Sequence, residues 1–149
     1  MNEQPDTATE LRARALRLLA RREHSRTELG RKLSPYAESP EGLEDLLTDL
    51  EKRKQLSDER FSTERARVLS RKYGAARVRQ DLKARGVSRE LIDRVSTEGE
   101  LERASSILNR KYRDAASTRE ERARRMRFLQ SRGFSSEIIF TLLSARDGD

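Results

Sequence analysis

From Leu11 almost to the C-terminus, apolar residues recur three and four positions apart, the spacing that puts them on one face of successive helices. The three prolines, Pro5, Pro35 and Pro40, all lie within the first 40 residues, and β-branched residues are sparse throughout. Such a chain offers little to a sheet and leaves glycine as the main interrupter of helices. The pattern predicts an all-α protein.

Residues 1–7 are polar and are expected to form a disordered end. A helix follows from Ala8 to about Arg22, with Leu11, Ala15, Leu18 and Leu19 inward. Ser25-Arg26-Thr27-Glu28 has capping-box spacing, so a second helix opens there, turns Leu29 and Leu33 inward and stops before Pro35. Ser39-Pro40 opens a third, in which Leu43, Leu46, Leu47 and Leu50 share a face. Ser57 caps a helix expected to run to about Tyr73, with Phe61, Ala66 and Leu69 inward, and to end on Gly74. A helix over 75–85, closed by Gly86, and a short one over 89–95, capped by Ser88, complete a second trio. The third trio starts near Thr97 with Leu101, Ala104, Leu108 and Tyr112. It continues through a helix over 118–132, anchored by Met126 and Leu129 and closed by Gly133. Ser135 caps its last helix, which carries Ile138, Ile139, Leu142 and Leu143. Asp147-Gly148-Asp149 reads as a loose end.

The trios repeat. Leu82-x-x-Arg85-Gly86-Val87-Ser88-x-x-Leu91 matches Leu129-x-x-Arg132-Gly133-Phe134-Ser135-x-x-Ile138 position for position, 47 residues apart, and Arg71-Lys72-Tyr73 recurs as Arg110-Lys111-Tyr112. Three three-helix modules are expected, at 8–56, 57–96 and 97–146. Each is too small to stand alone, so neighbours complete one another's cores.

Charge adds a direction to this frame. Thirty-three Lys and Arg against 26 Asp and Glu leave +7, and 27 of the cations are Arg, whose planar fork pairs with phosphate or carboxylate. The excess is uneven: residues 1–56 balance, 57–96 carry +5 and 97–149 carry +2. A basic surface of this kind suits nucleic acid, an acidic membrane face or an acidic protein. The candidate contacts are Arg65, Arg67, Arg71, Lys72, Arg77, Arg79, Lys83 and Arg85 in the second module. The third adds Arg110, Lys111, Arg124, Arg125 and Arg127. Tyr73 and Tyr112 are read as packing positions between modules, with base stacking as the functional alternative.

Chemistry of other kinds finds little footing. The chain has no Cys and one His, His24, which excludes thiolate and multi-histidine metal sites and leaves little for a Ser-His-Asp arrangement. No carboxylate pair or phosphate loop stands out, and no cofactor or enzymatic activity is expected. No apolar run reaches 18 residues, so a cytoplasmic protein with no membrane partner is the expectation.

Several ordered pieces carry a family likeness. They are Ala15-Leu16-x-x-Leu19-x-x-Arg22, Ser25-x-x-Glu28-Leu29-x-x-Lys32-Leu33 and Leu56-Ser57-Asp58-x-x-Phe61. Further along come Tyr73-Gly74-x-x-Arg77-Val78-x-x-x-Leu82-x-x-Arg85-Gly86-Val87 and Arg125-x-x-x-Leu129-x-x-Arg132-Gly133-Phe134-Ser135. In this order, over residues 11–145, the chain resembles the RecX family of bacterial RecA regulators. The resemblance implies three tandem modules in an elongated, curved body that binds within the groove of the RecA–DNA filament. It implies a protein that blocks filament growth, favours disassembly and so lowers RecA's ATPase, strand-exchange and coprotease activities, in DNA repair, homologous recombination and the SOS response, and a monomer is expected. Single- or double-stranded DNA is a further candidate partner, and a free-standing helical DNA-binding protein is the alternative reading.

Overall fold

Short polar residues open most of the helices. In the computed structural model, which describes residues 4–146, Thr7 and Ser25 sit in extended backbone just before the first two helices. These are α1 (Ala8–Arg21) and α2 (Arg26–Leu33). Each cap accepts from the amide three residues on, while the Glu at that position, Glu10 or Glu28, reaches back to the cap's own amide. Pro35 then tightens the chain into a 3-10 turn at Ser34–Tyr36, and Ser39 with Pro40 opens α3 (Pro40–Lys52). The series continues with α4 (Asp58–Leu69), α5 (Ala75–Ala84), α6 (Arg89–Ile92), α7 (Glu100–Lys111), α8 (Arg119–Ser131) and α9 (Ser136–Arg146). All the regular elements among the described residues are helical, as the apolar spacing predicts.

The chain divides into two compact units. The first takes the described residues through Glu64 together with Leu82–Ile92, and the second takes Arg65–Asp81 together with the described residues from Asp93 onward. Residues 57–96 therefore contribute to both, through α4 and α5. In the first unit Leu11, Ala15, Leu29, Leu33, Leu43, Leu46, Leu47, Leu50 and Leu56 form one core. Gly30 lets the Leu47 side chain approach α2, leaving 3.3 Å for any added Cβ. In the second unit Ala104, Ile107, Leu108, Leu129, Phe134, Ile139, Leu142 and Leu143 form the core, with Tyr112 edge-on to Phe128 at 6.1 Å. Fully burying a Leu, Ile or Phe side chain is worth about 1.5–3 kcal/mol, so the eight such residues of the first core and the seven of the second are what hold the two units.

One junction is built twice. In the first unit the end of α5 lies on the first turn of α2: Ser25 Oγ donates to the Arg85 carbonyl at 2.7 Å and Arg31 donates to that of Ala84. In the second unit the end of α8 lies on the first turn of α5. There the Gly74 amide donates to the Arg132 carbonyl at 2.7 Å, and Arg77 donates to that of Ser131 at 2.6 Å. Arg85 and Arg132, and likewise Ala84 and Ser131, are the repeat-matched positions of the sequence. Gly86 and Gly133, both with positive φ (80° and 90°), close these helices, and a Cβ on either would fall inside Thr27 or Arg77.

Several expectations change. Asp6 and Thr7, expected within the disordered end, are tied down. The Asp6 amide donates to Tyr36 O, its carboxylate pairs with Arg14 at 2.8 Å, and Thr7 caps α1. Helix α4 ends at Leu69 rather than near Tyr73, because Arg71, Lys72 and Tyr73 turn back onto Val68 and Leu69. Gly74 is not a left-handed cap. It is small because the Gly133 backbone lies against it, with the carbonyl carbon 2.7 Å from where a Cβ would stand. Helix α6 spans only Arg89–Ile92, and α7 starts at Glu100 after Gly99 with φ 72°. On α8 Leu129 is buried as expected, but Arg125 joins it inward and Met126 is 39% exposed. Helix α3 closes without glycine, on Lys54 with φ 62°. The expected loose end at Asp147-Gly148-Asp149 lies outside the described residues.

Candidate functional site

The thirteen candidate cations do not share one fate. Arg65 forms a two-pronged pair with Asp81 at 2.8 and 3.0 Å, which neutralises it locally. Arg85 donates to Glu28 at 2.5 Å, where Arg22 also binds at 2.9 Å. Burial alone would raise the Glu28 carboxyl, but the guanidinium of Arg22, the Ser25 amide and Arg85 outweigh it and hold its pKa at about 2. Arg79 is directed at the Val95 carbonyl, 3.0 Å away. Arg77 spans the Ser131 carbonyl and the Tyr73 ring, with its carbon 4.6 Å from the ring centre. Arg125 is 6% exposed and lies 4.5 Å over the Tyr112 ring, with Nε and one terminal nitrogen unpartnered. Each of these five has a partner within the fold, and only Arg65 and Arg85 are paired with a carboxylate. Lys83, on the first unit, and Arg67, Arg124 and Arg127, on the second, are exposed.

The remaining four, Arg71, Lys72, Arg110 and Lys111, come from the two Arg-Lys-Tyr repeats, 39 residues apart, and the second unit brings Lys72, Arg110 and Lys111 onto one groove, with Arg71 taking part through its carbonyl. The Arg71–Tyr73 turn, the end of α7 and the end of α8 surround an open groove of about 350 Å³. Its walls are Lys72, Tyr73, Ile107, Arg110, Lys111, Phe128 and Arg132. Arg110 donates to the Arg71 carbonyl at 3.3 Å and Arg132 to the Lys72 carbonyl at 3.2 Å. The Arg132 guanidinium also stands 5.4 Å from the centre of the Tyr73 ring and 5.0 Å from that of Phe128, while the Lys111 ammonium is 5.0 Å from Phe128.

Cations commonly gather at helix C-termini, where they offset the dipole and bind the last carbonyls. Arg110 and Arg132 bind instead the carbonyls of the 71–73 turn, so they fix one segment to another and keep their full charge. The groove wall holds four cations, two aromatic rings and no carboxylate. A cluster of like charges is attractive to an anion with several charges. The sequence puts three of these cations, Lys72, Arg110 and Lys111, among the candidate contacts and Tyr73 among the packing positions. Arg132, the repeat partner of Arg85, and Phe128 are not among the candidates that the sequence offers.

Other chemistries find no comparable geometry. Among the described residues no group of three or more His, Cys, Asp or Glu is arranged to hold a metal ion, and no helix is long and apolar enough to cross a membrane.

Comparison with known proteins agrees with this architecture. The family model for the second three-helix domain of RecX matches residues 57–95, and that for the third three-helix domain matches residues 98–143. The chain is 43% identical over 138 residues to the regulatory protein RecX of Herbaspirillum seropedicae, covering 91% of this chain and 90% of that one. It is 39% identical over 138 residues to the regulatory protein RecX of Neisseria meningitidis, covering 89% and 88%. Among solved structures, RecX from Lactobacillus salivarius superposes with a TM-score of 0.81 at 17% identity, covering 94% of this chain and 96% of that one, which shows a shared fold. With relatives of this similarity matching along nearly their whole length, and both family models in register, the chain belongs to the RecX family of regulatory proteins.

Proposed function

We propose that this protein restrains the RecA recombinase by binding the RecA–DNA filament, limiting filament growth and lowering ATPase, strand-exchange and coprotease activities, with no covalent step of its own. Three tandem modules, at 8–56, 57–96 and 97–146, bind as a cytoplasmic monomer, and the role belongs to DNA repair, recombination and the SOS response. The observation that carries this reading is the near full-length likeness to proteins called regulatory protein RecX. The cationic groove of the second unit supports it with a surface suited to a polyanionic partner. A ligand that touches a repeating filament at several points gains effective concentration with each further contact, so it acts below one molecule per RecA subunit.

The alternative, a free-standing DNA reader, asks more of the short helices. A helix that reads base edges lies in the major groove with a row of side chains directed at them. Helix α6, which closes the middle trio, has four residues and too little length for such a row. The test is RecA's DNA-dependent ATPase with this protein added at one molecule per ten or so RecA subunits. Suppression at that ratio is the expected result, and unchanged turnover at equimolar protein refutes it.

A further inference from the structure

We propose that the groove between the Arg71–Tyr73 turn, the end of α7 and the end of α8 is a binding site for phosphate groups, filled by two or more linked phosphates at once. This rests on reading the groove as a contact surface, and not on RecA as the partner.

Three observations converge. First, Lys72, Arg110, Lys111 and Arg132 line a single groove of about 350 Å³, and none of them is paired with a carboxylate among the described residues. Elsewhere the same protein neutralises its arginines readily, as Arg65 with Asp81 and Arg14 with Asp6 show. Second, the two guanidiniums are positioned without being discharged. Carbonyl oxygens of Arg71 and Lys72 each take one N–H, and the Tyr73 and Phe128 rings flank Arg132. Further N–H donors remain on each fork for a ligand, in a geometry set before it arrives. Third, Lys72, Arg110 and Lys111 are exposed, so the ammonium and guanidinium groups meet solvent at the groove mouth.

Four unpaired cations in this volume call for an anion of matching charge density. A chain of phosphates supplies a negative charge on every link and several acceptor oxygens per charge, which two forks and two ammonium groups can share. A run of carboxylate side chains reaches the same density only if successive residues are acidic. The source is either a nucleic-acid backbone or a free polyphosphate, and the chemistry recognised is the same.

The experiment uses the full chain, a fluorescein-labelled twelve-residue oligothymidylate, inorganic tripolyphosphate and polyglutamate of matched charge. Fluorescence polarisation is read over a salt series. Tight binding of the oligonucleotide with a log–log salt slope of about −3 is the expected result for four neutralised phosphates. The double variant Lys72→Gln/Lys111→Gln lowers affinity at least about tenfold and brings the slope to about −1.5, while Lys52→Gln, on the first unit, leaves both unchanged. Displacement by tripolyphosphate assigns the site to linked phosphates of either source, and its failure to displace assigns it to the nucleic-acid backbone. Displacement by polyglutamate as efficient as by phosphate overturns the proposal, and so does a double variant that binds as wild type does. A protein that binds phosphate yet leaves RecA turnover untouched keeps this site and loses the proposed partner. One that slows RecA without binding phosphate does the reverse.

Discussion

The amide of Gly74 donates to the carbonyl of Arg132 at 2.7 Å, which brings the start of α5 against the end of α8. The same contact carries the groove, since Lys72 and Tyr73 precede Gly74 and the Arg132 side chain turns back over both. Gly74→Ala forces a methyl group into the Gly133 backbone, where the nearest carbon would be 2.7 Å away. Overpacking of this kind costs typically about 1–3 kcal/mol. A drop of that size in urea-unfolding stability, with weakened anion binding, is expected, and wild-type stability would show that the contact is loose.

The junction of the first unit should make the protein acid-sensitive. Burial pushes the His24 imidazole below its ordinary 6.5. Its Nδ1 meets the Arg22 carbonyl at 3.1 Å and therefore carries the proton, leaving Nε2 to accept from the Lys32 ammonium at 3.0 Å. Protonating that ring sets two cations against each other. Glu28 is likewise depressed, from 4.5 to about 2. Both folded values lie below the unfolded ones, so the stabilisation is complete above pH 6.5 and is lost as pH falls, first through His24 and then through Glu28. Denaturant midpoints should be level above about pH 7 and fall in these two steps, and His24→Gln should remove the first step alone. A midpoint that does not move between neutral pH and about pH 3 contradicts this assignment.

On α8 the burden falls unevenly. Leu129, fully buried, should cost about 2–5 kcal/mol when truncated to Ala, whereas Met126→Ala should stay within about 0.5 kcal/mol. Arg125 is buried with two unpartnered nitrogens, so Arg125→Met, which keeps the stem and removes the charge, should leave stability unchanged or raise it. Thermal unfolding of the three variants ranks them, and a large loss in Arg125→Met would mean that its stacking on Tyr112 outweighs its desolvation.

Helix α3 ends on Lys54 in left-handed backbone, with the amides of Gln55 and Leu56 both returning to the Leu50 carbonyl. A lysine there carries a Cβ penalty that glycine avoids. Lys54→Gly should raise unfolding stability by about 0.5–1 kcal/mol, the penalty of about 1–2 kcal/mol being partly offset by the greater freedom of glycine in the unfolded chain. A stability below wild type would place the strain elsewhere.

Helix starts were legible in the sequence because a cap and its leucines lie within a few residues of one another. Ser25 and Ser39 need nothing distant to declare themselves, whereas Thr118, expected inside its helix, is the cap before it and forms a capping box with Glu121. The inward face of α8 was not legible. Five of the thirteen residues of α8 are arginine, and nothing in their spacing marks Arg125 as the one that lies over the Tyr112 ring. The early end of α4 depends on the 71–73 turn being fastened to Arg110 and Arg132, again a tertiary effect. The groove itself joins three separated segments. Its trace in the sequence was the doubled Arg-Lys-Tyr, which marked the cations without saying that they meet.

Co-sedimentation with RecA–DNA filaments weighs the central claim most directly. The wild-type protein should pellet with the filament at ratios well below one per RecA subunit, while Lys72→Gln/Lys111→Gln should need at least about tenfold more protein to do so. A wild-type protein that stays in the supernatant while the filament pellets would contradict the account.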